Sequence, residues 1–330
     1  MHTHTPTVSL VIPAYDEEEG LLAFHQQLRQ EIDALPYLFS ILYINDGSTD
    51  QTALRLEHIA SEDDRVTVLE LSRNFGHQAA LTAGLDQAEG DYIISLDADG
   101  QHPPALIAEM LRLAESGYDI VLTQRMQQRA LSPFKRRTSA LFYNLINRVA
   151  DTRVVPGSAD FRLLSRAAAQ GLRSMREYHR FLRGMVSWMG FKTVILPYQQ
   201  PARLAGKSKY SLKKMLRLAL DAVFSFSLVP LYLSISVGTV FLLLALVEVI
   251  YVLSFWVSGN QASLAPGWSS LMFVLLFVGG AIMIALGIIG IYIGYIFQEV
   301  KDRPVYLVRR KISPCSPDEP PTPATHASPD

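Results

Sequence analysis

Two carboxylates separated by one residue stand where an apolar run meets a helix start. Asp97 and Asp99 follow the apolar residues 92–94 and precede Pro103 and Pro104, which mark the start of a helix. Because side chains alternate along a strand, both carboxylates would project to one side at the carboxyl edge of a sheet. Open α/β folds bind ligands at that edge, and carboxylates there can hold a divalent cation against a nucleotide diphosphate. Taken alone this pattern is a weak signal, because short carboxylates before a helix are more often caps or turn residues.

The surrounding sequence supplies the elements that must position these carboxylates. Short apolar runs alternate with amphipathic segments from residue 7 to about residue 125. The runs predict strands at residues 8–12, 39–44, 66–71, 91–96 and 119–123. This βαβα order predicts an α/β fold with a mostly parallel sheet, helices on both faces, and a ligand site at the carboxyl ends of the strands.

Polar residues cluster directly after each of the first four predicted strands, at residues 13–18, 45–50, 72–77 and 97–99. Each cluster alone could be a turn and a helix cap, and that reading covers residues 48–50. Four clusters in register favour a binding site, because carboxylates on successive strand ends suit ribose hydroxyls and a metal. The Gly-rich phosphate loop of dinucleotide-binding and P-loop folds is absent. We therefore expect a sugar nucleotide held through Mg²⁺ or Mn²⁺.

Two long apolar segments occupy the C-terminal third of the sequence. Residues 228–257 carry Glu248 as their one charge, residues 268–297 carry none, and each segment is long enough to span a bilayer. Lysines and arginines flank the pair, and the N-terminus lacks the apolar core of a signal peptide. We therefore expect a multi-pass protein of the cell inner (cytoplasmic) membrane, with its front domain and C-terminus in the cytoplasm. For Glu248 two readings stay open: a protein or subunit neighbour, which would allow a homo-oligomer through these helices, or a protonated or snorkelling carboxyl.

The four strand-end motifs, at residues 13–18, 45–50, 72–77 and 97–104, resemble those of inverting family 2 glycosyltransferases with the GT-A fold. Three further segments, at residues 159–162, 179–184 and 203–210, precede the apolar pair. They are similar to those of polyisoprenyl-phosphate glycosyltransferases, bactoprenol glucosyltransferases first and dolichol-phosphate mannose synthases more distantly. The resemblance covers residues 8 to 308. Asp16 is a departure, since relatives often have Asn at this position.

The resemblance implies a donor site at the strand ends. Asp46 and Asp97 would hold the uridine, and Asp99 with Gln101 would ligate the metal. A hydrogen bond at the helix entry is the alternative for Gln101. The remaining residues implied to bind the nucleotide sugar are Pro13, Tyr15, Glu17, Gly76 and Ala98.

The resemblance also implies catalytic roles for Asp97, Asp99 and Asp160. Asp160 would be a base or an orienter of the acceptor site. It lies in a stretch that reads as a loop, and from the residues alone an N-cap or a salt bridge to Arg162 is the stronger reading. We assign neither His77 nor His179 as catalytic, because a lone histidine near a strand end is usually a structural group.

The implied acceptor is a lipid phosphate. Such a phosphate is already anionic at neutral pH, so it needs positioning more than it needs a base. Arginine offers a fork that matches phosphate oxygens, and lysine offers a point charge. The candidates for the acceptor phosphate or the donor diphosphate are Arg125, Lys135, Ser139, Arg203, Lys207, Ser208 and Lys209. The alternative is that basic residues of this region face anionic headgroups, as we expect of Arg136, Arg137, Lys213 and Lys214.

These readings divide the chain into four segments. They are a GT-A-like cytoplasmic catalytic domain at 1–210, an interfacial amphipathic helix at 211–227, a two-helix transmembrane region at 228–299, and a cytoplasmic tail at 300–330, disordered after about 312. Cys315 is the single cysteine, which excludes an intrachain disulfide. The net charge of -1 gives no indication of a nucleic-acid partner.

The function that the resemblance implies is the inverting transfer of a hexose, with glucose from UDP-glucose as the first expectation, to undecaprenyl phosphate at the cytoplasmic membrane face. Mannose, galactose, N-acetylhexosamine and aminoarabinose derivatives stay open as the sugar. A processive polysaccharide synthase would need more membrane helices and a Gln-x-x-Arg-Trp element, which is absent. An inactive membrane scaffold is the non-enzymatic alternative, although the carboxylates of a metal site are present.

Overall fold

The computed structural model describes residues 5–126, 155, 157–178, 180–199, 201, 229–258 and 267–313. The strands are β1 (Thr7–Ala14), β2 (Leu38–Asn45), β3 (Val66–Leu71), β4 (Tyr92–Ser95), β5 (Ile120–Arg125), β6 (Ser158–Ser165), β7 (Thr193–Tyr198) and β8 (Val308–Ile312). The helices are α1 (Leu21–Ile32), α2 (Thr52–Glu62), α3 (His77–Gln87), α4 (Leu106–Glu115), α5 (Arg166–Ser174), α6 (Leu182–Trp188), α7 (Val229–Val257) and α8 (Trp268–Val300). The five strands predicted from the apolar runs are confirmed, with ends within two residues of the expected ones.

The eight strands form one sheet in the order β7-β5-β6-β4-β1-β2-β3-β8. Parallel pairings join β1 to β2 and to β4, β2 to β3, and β5 to β7. Antiparallel pairings join β6 to β4 and to β5, and β8 to β3. The sheet is therefore mixed, with most of its strands parallel as predicted. The five predicted strands and β7 all run in one direction, whereas β6 and β8 are reversed.

Strand β6 also corrects the reading of residues 157–162 as a loop. Seven of its eight residues are buried, and it lies in the interior of the sheet between β4 and β5. The sequence pattern did not predict this strand because the segment contains Asp160 and Arg162, and charged residues are rarely buried without a partner. In the structure the two side chains form an ion pair with each other, so a buried strand can carry both.

Helix α3 packs unusually close to the sheet. A Cβ atom at Gly84 would lie 2.3 Å from Val11 Cγ1 and 2.6 Å from Ile44 Cδ1, so the helix backbone rests on the side chains of β1 and β2. Glycine permits this approach because it has no side chain. The helix thereby brings its first residue, His77, to the carboxyl ends of the strands.

We expect Gly84→Ala to lower the free energy of unfolding by about 1–3 kcal/mol, because the added methyl overpacks the core. Thermal unfolding measures the change. Gln87→Ala is the matched control, since Gln87 is an exposed residue of the same helix. Equal stability of the two variants would contradict the close packing of α3 on the sheet.

The chain returns to the sheet after α8, which the sequence did not predict. Strand β8 covers the edge of β3, and Arg310 Nε donates a hydrogen bond to Glu70 Oε2 at 3.1 Å. Just before it, the Ser72 N–H donates to Leu307 O at 2.9 Å and the Tyr306 hydroxyl donates to Asp86 at 3.1 Å. This pairing stabilises the sheet, because an uncovered edge exposes unpaired backbone groups.

The described residues fall into two compact units, one with the sheet and one with α7 and α8. The helices α7 and α8 contain 29 and 33 residues, close to the predicted apolar segments. Among the described residues one stretch, Phe277–Val300, has the length and apolar composition to cross a membrane, with a hydropathy of 2.2. The second span therefore stays a prediction. The predicted interfacial helix at 211–227, the tail beyond 313 and the side chain of Glu248 lie outside the described residues.

Candidate active site

Hydrogen bonds tie the loop after β1 to the loop after β2. The Asp16 N–H donates to Ser48 Oγ at 3.1 Å, and the Thr49 N–H donates back to Asp16 Oδ1 at 2.9 Å. These bonds hold Asp16 at a left-handed φ of 51°, which short polar side chains tolerate. Asp50 Oδ1 accepts the Thr52 N–H at 2.9 Å, the helix-entry role predicted for that segment. Two of the four polar clusters thus form one connected rim.

Asp46 organises the loop after β3. Its two carboxylate oxygens accept the N–H groups of Phe75 and Gly76 at 2.8 and 2.9 Å. Burial raises the pKa of Asp46, although the two N–H groups oppose the shift. A uridine contact would have to share these oxygens, which have a second lone pair each. The predicted uridine role of Asp46 therefore stays a prediction.

The other residues predicted for the nucleotide pocket differ in exposure. Pro13 and Ala98 are buried, the first inside β1 and the second after β4. Tyr15, Glu17 and Gly76 are partly exposed around the same strand ends. Of the residues predicted to bind a nucleotide, these last three and Asp97, whose side chain is 24% exposed, have accessible surface.

The loop between β4 and α4 is closed by two internal hydrogen bonds. The Asp97 N–H donates to His102 Nδ1 at 2.9 Å, and the Gln101 N–H donates to Asp99 Oδ1 at 3.0 Å. His102 is fully buried and stacks on Phe161, with ring centroids 5.3 Å apart. Burial lowers the pKa of His102, so the imidazole is neutral at neutral pH and accepts through Nδ1. The buried His102 therefore anchors this loop to the core.

The oxygen donors of this loop fit a hard divalent cation whose remaining coordination positions would be filled by substrate oxygens. Asp99 and Gln101 offer side-chain oxygens, the ligands that Mg²⁺ and Mn²⁺ prefer. Asp97 Oδ1 is buried and accepts no hydrogen bond from the described residues. Those residues contain no group of three or more His, Cys, Asp or Glu that could hold a metal by itself. A cation held by one or two carboxylates and substrate phosphates agrees with this sparse set.

Asp160 projects from β6 into a cluster of cations. Arg183 Nη2 donates to Asp160 Oδ2 at 2.7 Å and Arg183 Nε donates to Oδ1 at 3.1 Å. Arg162 donates to Oδ1 as well, and His77 Nε2 lies 3.4 Å from Oδ2. Asp160 and Arg162 are each 3% exposed. The Asp160 side chain is therefore a buried carboxylate with three cationic neighbours, and it is not an N-cap.

The cluster fixes the charge of its members. Burial alone would raise the pKa of Asp160, but Arg183, His77 and Arg162 outweigh it and hold that pKa well below its usual range. Burial would lower the pKa of His77, but Asp97 and Asp160 raise it to about 9. At neutral pH the carboxylate is ionised and the imidazole is protonated. Asp160 is therefore a weak base in this environment.

Arg125 is the one acceptor-site candidate that the structure describes. It ends β5, its Nε donates to the Tyr198 hydroxyl at 3.3 Å, and its Nη2 lies 3.4 Å from His102 Nε2. Arg125 thus lies beside the loop that carries Asp97 and Asp99. The other candidates, Lys135, Ser139, Arg203, Lys207, Ser208 and Lys209, lie outside the described residues, as does His179.

Sequence reasoning gave no site role to His77 and Arg183, and it named Arg162 only as a salt-bridge partner of Asp160, which the structure confirms. All three residues fall inside motifs quoted for the resemblance, which was a usable signal. Arg162 follows Asp160 at the spacing of one strand face, and its place in the site would have been found if β6 had been predicted.

A mixed α/β sheet that gathers carboxylates and cations beyond its strand ends has the architecture of GT-A-like transferases. The family model described as "Glycosyl transferase family 2" matches residues 9–173 of this chain. The chain is 39% identical to an uncharacterized glycosyltransferase of Bacillus subtilis, over 92% of this chain and 93% of that one. It is 36% identical to the SfII prophage-derived bactoprenol glucosyl transferase of Shigella flexneri, over 92% and 97%. The chain belongs to glycosyl transferase family 2.

A solved structure of glucosyl-3-phosphoglycerate synthase from Mycobacterium tuberculosis, in complex with Mn²⁺ and UDP-glucose, is similar at a TM-score of 0.43 and 17% identity. The similarity covers 66% of this chain and 77% of that one.

Proposed function

We propose that this glycosyltransferase transfers a hexose, with inversion, from a UDP-sugar to a polyisoprenyl phosphate at the cytoplasmic face of the membrane. Glucose and undecaprenyl phosphate are the proposed pair. A relative named bactoprenol glucosyl transferase supports the lipid acceptor and the sugar, since the chain matches 97% of its length.

The contacts of the Asp160 carboxylate support a phosphate as the acceptor. Asp160 is saturated by Arg183 and Arg162, with His77 close by, so its carboxylate has little capacity to accept a proton. A sugar hydroxyl needs such a base when it attacks, because it is a weak nucleophile in its neutral form. A phosphate oxygen is anionic at neutral pH and needs none. Asp160 therefore acts in this proposal as an orienter that keeps two arginines in place.

The donor would lie across the strand ends. Asp46 and Asp97 bind the uridine, with Pro13, Tyr15 and Glu17 around it. Asp99 and Gln101 hold Mg²⁺ or Mn²⁺, and the bound cation supplies charge neutralisation for the departing diphosphate. Arg125, which lies beside His102 of the same loop, adds a positive charge. The fixed bonds within the 97–102 loop support this assignment, because they hold the oxygen donors in one geometry.

The acceptor would arrive from the bilayer. We propose that α7 and α8 both span the membrane, with the sheet unit and the C-terminus in the cytoplasm, as the flanking basic residues indicate. The segment from Arg203 to Lys209, with Lys135 and Ser139, would then position the lipid phosphate. A homo-oligomer through the membrane helices is left open.

The direct test is a transfer assay with the purified full-length protein in detergent. We expect UDP-glucose, a divalent cation and undecaprenyl phosphate to yield a hexosyl phosphate lipid, identified by mass. Undecaprenol is the matched acceptor control, because it keeps the chain and lacks the phosphate. Product from undecaprenol would contradict the phosphate acceptor. Product from another nucleotide sugar in preference to UDP-glucose would correct the sugar while leaving the acceptor in place.

A further inference from the structure

His77 links two carboxylates that come from distant parts of the chain. Its Nε2 atom lies 3.6 Å from Asp97 Oδ1, in the loop after β4, and 3.4 Å from Asp160 Oδ2, in β6. A single nitrogen thus faces both carboxylates. The side chain is 40% exposed, so the two carboxylates leave part of its surface accessible.

The charged groups around His77 include Asp97, Asp160 and Arg183, and Asp46 also interacts with it electrostatically. Asp97 and Asp160 outweigh the arginine and burial, so the imidazole carries a proton at neutral pH. Without that charge Asp97 and Asp160 would repel each other across a short gap. The charge of His77 matters more for Asp97 than for Asp160, because the buried Oδ1 of Asp97 accepts no hydrogen bond from the described residues.

The backbone holds His77 firmly in this place. Its neighbour Gly76 has a φ of 99°, a conformation that favours glycine, and the Gly76 N–H donates to Asp46. The helix that begins at His77 rests on the sheet through Gly84. A side chain anchored on both sides of its Cα can position the groups that it contacts.

We propose that His77 is a positioning residue that joins the Asp97 loop to Asp160 as a cation. The proposal rests on the proposed function, because it gives the loop that carries Asp99 a fixed distance from the acceptor-side carboxylate. His77 acts through Asp97 and Asp160 and does not take a proton from the acceptor. The assignment separates it from an ordinary structural histidine, whose loss would change stability alone.

Three variants separate charge from shape. His77→Gln keeps an N–H donor without the charge, His77→Lys keeps a charge without the ring, and His77→Ala removes both. We expect His77→Gln and His77→Ala to lower kcat about 10-fold to 100-fold, because misplaced groups lose their orientation. His77→Lys should recover a measurable part of that loss. The order Lys above Gln is the signature of a positioning cation.

His25→Gln is the matched control. His25 is a buried histidine whose Nε2 lies 3.7 Å from Asp63 Oδ2, in a separate cluster. Its replacement should lower the unfolding temperature and leave kcat unchanged. Wild-type kcat for His77→Gln, or equal losses for His77→Gln and His77→Lys, would overturn the proposal.

A second measurement keeps the inference testable if the wild-type protein fails to glycosylate the lipid. Binding of UDP, with Mg²⁺ present, is measured for His77→Gln, Asp97→Asn and the double variant. We expect the two changes to be non-additive by about 5-fold or more in Kd, as for residues in contact. Additive effects would overturn the link between His77 and Asp97. Failed lipid transfer with intact coupling would instead refute the proposed function.

Discussion

Asp99→Ala should abolish transfer and leave the protein folded. The carboxylate lies on a loop and bonds the Gln101 N–H, so its loss removes one turn bond and one proposed metal ligand. We expect turnover to fall at least about 100-fold, because a bound metal supplies several kcal/mol of charge stabilisation in the transition state. EDTA should have the same effect on the wild-type protein, and added Mg²⁺ or Mn²⁺ should reverse it.

Asp64→Ala is the control for this variant. Asp64 is an exposed carboxylate in the turn before β3, remote in sequence from the loop. It should keep wild-type turnover and the same sensitivity to EDTA. The unfolding temperature of both variants shows whether a loss is chemical or structural. Full turnover of Asp99→Ala, or of the wild-type protein in metal-free buffer, would rule out the metal role of this loop.

Asp160→Asn should have a large effect on stability as well as on transfer. The substitution removes the charge that compensates Arg162, which is 3% exposed. Leaving one member of a buried ion pair without its partner costs about 3–5 kcal/mol. Transfer should fall about 100-fold, because Arg183 and His77 lose the carboxylate that places them. Chemical unfolding and the transfer assay measure the two losses separately.

A double variant distinguishes the structural part from the functional part. Asp160→Asn with Arg162→Met removes the unpaired charge, and should recover much of the stability without recovering transfer. The pKa of Asp160 is depressed in the folded protein, so its contribution to stability is present above about pH 4 and is lost as the pH falls through the folded value. The double variant should lose this acid dependence. Recovered transfer in the double variant would show that Asp160 served the fold alone.

The local pattern of the sequence determined the directions and ends of five strands. Each is an apolar run between turn residues, and such a run has few alternatives to a buried strand. The polar clusters after these runs follow directly, because the carboxyl ends of strands that run one way meet at one edge. The positions of Asp46, Asp97, Asp99 and Gln101 around that edge were therefore predictable. Family 2 membership was predictable from the motifs at the same positions.

Only the tertiary structure decided which partners these residues have. Strand β6 carries Asp160 and Arg162 in the sheet interior, and charge within a segment argues locally against a buried strand. Strand β8 follows α8 and pairs with β3, more than 200 residues away, so no local pattern could indicate it. His77 meets Asp97 and Asp160 because α3, the β4 loop and β6 converge. An isolated histidine has an ordinary pKa, and only the carboxylates packed around His77 raise its pKa to about 9, which makes it a cation at neutral pH.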